Sequence, residues 1–144
     1  MSQLNDDHTM HLLRIAAADI PRPMDDLRSR LRSPDGPAWI DGELQRLLVP
    51  EGVLPSSLLN GGADLAVLRK VKSQAVRLAT GSLNARDRMA ALLVHDFVIA
   101  SALLHHRTLI SERPRDQWDD RLVDLAADAP EPWRSFLRRA ADVD

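Results

Sequence analysis

The stretch MAALLVHDFVIASALL, residues 89–104, decides the fold. Wound as an α-helix it is apolar on every side, whereas a helix on a protein surface keeps a polar face. Such a segment belongs at the centre of a small bundle, covered all round by its neighbours. It nevertheless carries His95 and Asp96 in its middle. Polar side chains inside a buried helix need hydrogen-bonding partners, because desolvating them without one is costly. This pair is where the sequence hints at chemistry.

Outward from that helix, the patterning stays helical. Asn84 suits an N-cap and Asp87 stands three residues later, where a capping box places an acid. The helix is expected over 84–109. Ahead of it, Leu65, Leu68, Val71, Ala75, Leu78 and Ala79 make a stripe over 63–80, with Arg69, Lys70, Lys72 and Arg77 mostly outside it. Gly81 suits the position that follows a helix end. The connection is short, so 63–80 and 84–109 are expected to form an antiparallel hairpin.

Beyond the hairpin, Pro114 opens a helix over 114–128, with Trp118, Leu122, Leu125 and Ala126 on one side. Trp133, Phe136, Leu137 and Ala140 mark a last amphipathic helix over 131–142. The N-terminal half is shorter-paced. Helices are expected over 10–20, 23–32 and 37–48, the first ended by Pro21 and Pro23 and the last begun by Pro37. VPEGVLPSSLLNGG, residues 49–62, holds two prolines and three glycines. It is expected to be an irregular connection packed on the core.

Composition agrees with this all-α reading. Of 144 residues, 44% are hydrophobic and 28% charged, but only 3% are aromatic and there is no Tyr. Sheets favour aromatic and β-branched residues, while this chain relies on Ala, Leu and Arg, which favour helices. The expected architecture is one domain, 1–144, with about five or six helices around the central hairpin. Residues 1–60 pack on a main core at 63–142.

Charge and cysteine content narrow the function. The net charge is −2, which gives no basic footprint for nucleic acid. With no Cys, thiolate catalysis and zinc–thiolate sites are excluded. The start, MSQLNDDHTM, lacks the basic and apolar parts of a signal peptide. The apolar run at 89–104 is shorter than the roughly 20 residues of a membrane span. A cytoplasmic protein that binds neither membrane nor nucleic acid is expected.

The words AALLVHDF at 90–97 resemble the ligand helix of the HD family of metal-dependent phosphohydrolases. The resemblance covers these eight residues. It implies a metal held by His95 and Asp96, together with an upstream His and a later Asp. The only upstream histidines are His8 and His11, far away in the N-terminal segment, and Asp124 or Asp128 could supply the later carboxylate, though aspartates are plentiful in this chain. The reading set beside it is a buried His and Asp bonded to neighbouring helices.

Other candidates are weaker. His95 and His106 share a helical face but lie roughly 16 Å apart along it, too far for one metal. Adjacent His105 and His106 point about 100° apart and suit the negative end of a helix dipole. The arginines at 28, 30 and 32, and at 134, 138 and 139, read as solvated or ion-paired faces. Trp118 and Trp133 read as core, whereas Trp39, beside Pro37, is the candidate exposed interaction anchor. Phosphate-cradling glycine loops and nucleophile-elbow motifs are absent. The sequence therefore favours a non-catalytic helical interaction or regulatory module without cofactor, acting on a protein partner or on itself. A metal-dependent hydrolase with a divergent site at His95 and Asp96 is the alternative.

Overall fold

The computed structural model describes residues 24–81, 84–106 and 115–141. It is all-α, with no strand among the described residues. The helices are α1 (Met24–Arg32), α2 (Gly36–Leu48), α3 (Pro55–Asn60), α4 (Leu65–Gly81), α5 (Ala85–His105), α6 (Arg115–Asp128) and α7 (Trp133–Ala140). The helix expected at 10–20 lies outside the described residues, as do His8, His11 and the side chain of Trp118.

α5 is the axis. Every residue from Ala90 to Leu103 is buried. Its length and apolarity would suffice to cross a membrane, but most of that surface is covered by the protein itself. α4 packs along it most extensively, and α1, α2, α3 and α7 also touch it. The end of α5 reaches back beside the start of α4, where His106 Nε2 donates to the Ala63 carbonyl at 2.8 Å. One hydrophobic cluster runs through the described helices, from Leu27 in α1 to Ala141 after α7. In it Trp133 stacks on Phe97 with ring centroids 4.7 Å apart, and Phe136 meets both rings edge-on.

Local chemistry sets the helix ends. The Asn84 side chain accepts the Arg86 N–H at 2.8 Å, as expected of an N-cap. The Asp87 carboxylate, in the same first turn, meets Arg46 of α2 at 3.1 Å. The Asp64 carboxylate accepts the Val67 N–H at 2.9 Å and so caps α4. Gly81 belongs to the last turn of α4 rather than following it.

The segment 49–62 is more regular than its composition suggests. It forms a 3₁₀ turn, Val49–Glu51, and then α3. Pro50 and Pro55 sit in first turns, where a missing N–H costs nothing. Gly52 and Gly61 end these two elements at φ of +79° and +81°. The residues that looked like breakers are starts and stops.

Candidate functional site

His95 and Asp96 sit at the middle of α5, both with 0% exposure. Neighbouring side chains on one helix diverge, yet the imidazole turns toward the carboxylate. Its Nδ1 donates to Asp96 Oδ1 at 3.0 Å. The same oxygen accepts Arg121 Nη2, from α6, at 3.1 Å. Arg121 is itself only 7% exposed. The result is a buried ion pair with a histidine attached. Burial holds the His95 pKa below its ordinary value, against the opposing pull of Asp96. The neutral imidazole with its proton on Nδ1 fits this geometry.

A third basic group approaches from α4. Lys72 is 3% exposed, contrary to its expected place outside the apolar stripe. It falls in register with Leu68, Ala75 and Ala79, all buried on the face that meets α5. Desolvation lowers its pKa, and its charge is felt at His95. A buried base of this kind resists protonation because the charged form loses its hydration.

Asp124 and Asp128 do not reach this cluster. Arg28 of α1 pairs with both, and Arg32 meets Asp128 at 3.4 Å. These contacts fasten α1 to α6 at the surface. Arg30 pairs with Asp35 at 3.1 Å. Among the described residues no group of three or more His, Asp or Glu side chains converges to hold a metal. Where the HD resemblance calls for another ligand beside Asp96, the chain supplies the guanidinium of Arg121, which repels a cation.

The two histidines at the end of α5 have a different task. Ser101 Oγ, His105 Nε2 and His106 Nε2 donate to the carbonyls of Leu58, Leu59 and Ala63 at 3.0, 3.0 and 2.8 Å. They satisfy backbone acceptors where α3 ends and the chain turns toward α4. Trp39 is 9% exposed, and the Arg30 guanidinium lies 5.5 Å over its ring. Little of the indole remains at the surface.

A second ionic cluster, without a signal in the sequence pattern, centres on a buried acid of α2. Glu43, on the buried side of α2, is 2% exposed. Its Oε2 accepts Arg46 Nη2 and its Oε1 accepts Arg86 Nη2 at 2.7 Å. Burial pushes the Glu43 carboxyl up, but these two arginines outweigh it and hold the pKa below the ordinary value. The cluster ties α2 to the first turn of α5.

Comparison of the chain with protein-family models, with curated proteins and with solved structures finds no match.

Proposed function

We propose that this chain is a non-catalytic helical module that works by binding a protein partner or a second copy of itself, in the cytoplasm and without a cofactor. The observation that carries this reading is the state of His95 and Asp96. Both are sealed in the core, and the Asp96 carboxylate is engaged by His95 and Arg121. A catalytic pair needs access to substrate and, for the HD chemistry, further ligands on the metal. A buried ion pair with a hydrogen-bonded histidine instead fixes how α5 and α6 pack. The N-terminal arginine group at 28, 30 and 32 is ion-paired rather than free to engage nucleic acid.

Metal analysis of untagged protein tests the proposal against the hydrolase alternative. The expected result is no stoichiometric manganese, iron or zinc, and no hydrolysis of phosphomonoesters or nucleotides with those metals added. Stoichiometric metal that disappears in Asp96→Ala, while circular dichroism shows an intact helical fold, would overturn it in favour of the hydrolase.

A further inference from the structure

Between the end of α2, the middle of α4 and α5 lies a pocket of about 430 Å³. Leu47, Val71, Ala75, Leu78 and Val94 supply its apolar lining. Gln74 and Arg77, one helical turn apart on α4, add the polar groups. This volume, with apolar walls and a few polar groups, falls in the range of small-molecule sites.

The charge around the pocket is uneven. Lys70, one turn before Gln74, pairs with Glu51 at 3.3 Å. Arg46, next to Leu47, is held by Glu43 and Asp87, and Arg86 is held by Glu43. Arg77 is exposed, and its guanidinium has no acidic partner among the described residues. Among the described residues no carboxylate lines the pocket. Among the described residues the site therefore offers an apolar cavity beside an uncompensated, planar cation.

We propose that this pocket binds a small aliphatic monocarboxylate. The tail lies against Leu47, Val71, Leu78 and Val94. The head group takes a two-pronged ion pair from Arg77, whose fork of donors matches a carboxylate, and the Gln74 amide donates beside it. A neutral alcohol of the same length loses the ion pair, and a carboxylate without a tail loses the apolar contact. The inference goes beyond the interaction reading above and stands or falls separately from it.

Isothermal titration calorimetry with octanoate, octan-1-ol and acetate tests the site on the whole chain. Octanoate is expected to bind saturably with one site per chain. Arg77→Ala should weaken it about tenfold, the usual worth of a charge-assisted hydrogen bond, and Arg77→Lys should weaken it less. Octan-1-ol should bind the native protein more weakly than octanoate, and acetate should not bind. Arg77 is exposed and its side chain makes no hydrogen bond or ion pair among the described residues, so its variants are expected to keep the fold. Failure of octanoate to saturate at millimolar concentration overturns the proposal. So does binding unchanged by Arg77→Ala, or octan-1-ol binding as tightly as octanoate.

Discussion

Lys72 and Arg121 are both basic and buried, and they act on the fold in opposite directions. Arg121 has Asp96 as counter-ion, so removing it strands a carboxylate in the core. Arg121→Met should cost about 3–5 kcal/mol in urea melts, and the double variant Asp96→Leu, Arg121→Met should recover most of that loss. Equal losses in the single and double variants would show that the ion pair does not govern packing between α5 and α6. Lys72 makes no ion pair among the described residues, and its pKa is depressed by burial. The unfolded chain binds a proton there that the folded chain binds less readily. Stability must therefore rise with pH through the interval between the depressed value and the ordinary lysine value of about 10.4. The chain has no Tyr or Cys to obscure this window. Lys72→Met should stabilise the protein at pH 7 by about 1–3 kcal/mol and flatten the alkaline rise. An unchanged alkaline slope in that variant would show that Lys72 does not cause it. The position of Lys72 was legible, since it shares a register with Leu68, Ala75 and Ala79. Its charge argued for solvent, and only tertiary packing decides which consideration wins.

At the scale of elements, the sequence patterns that proved legible were those with a long period of repetition. The stripes of α4, α6 and α7, and the all-round apolarity of α5, follow from side chains placed every 3.6 residues. The segment 49–62 was not legible, because its order comes from outside it. Ser101, His105 and His106 hold its carbonyls from the end of α5, and no local pattern announces a donor more than 40 residues away. The same holds for His95 and Asp96, whose partner Arg121 stands at the border of the α6 stripe. Gly61 shows how tightly the clasp is set. A Cβ there would lie 3.0 Å from His105 Nδ1, in addition to the strain of a positive φ. At Gly52 the φ is similar, but a Cβ would meet nothing within 4 Å. Gly61→Ala should therefore cost about 2–3 kcal/mol and Gly52→Ala about 1 kcal/mol, as strain with and without a steric contact. Equal losses in thermal melts would mean that His105 swings aside and that the clasp is loose.

For the molecule as a whole, the decisive property is that α5 has no outward face over its middle. In an amphipathic helix, three consecutive residues spread over about 200° of azimuth, so at least one of them points toward solvent. Substituting that one changes stability by no more than about 0.5 kcal/mol. Phe97, Val98 and Ile99 are instead 0%, 1% and 0% exposed. Phe97 is held by Trp133 and Phe136 of α7, which accounts for one side of the helix. The remaining sides face the other helices that surround it. Phe97→Ala should cost about 3–5 kcal/mol and Ile99→Ala about 2–5 kcal/mol. Val98→Ala, the intermediate azimuth, should cost more than about 1 kcal/mol, because it too leaves a cavity that the surrounding helices cannot close. Denaturant unfolding of the three variants checks this arrangement. A loss below about 0.5 kcal/mol at any one of them would mean that this azimuth of α5 is open. An apolar face left open on the longest helix would then be the binding surface of the module, rather than its core.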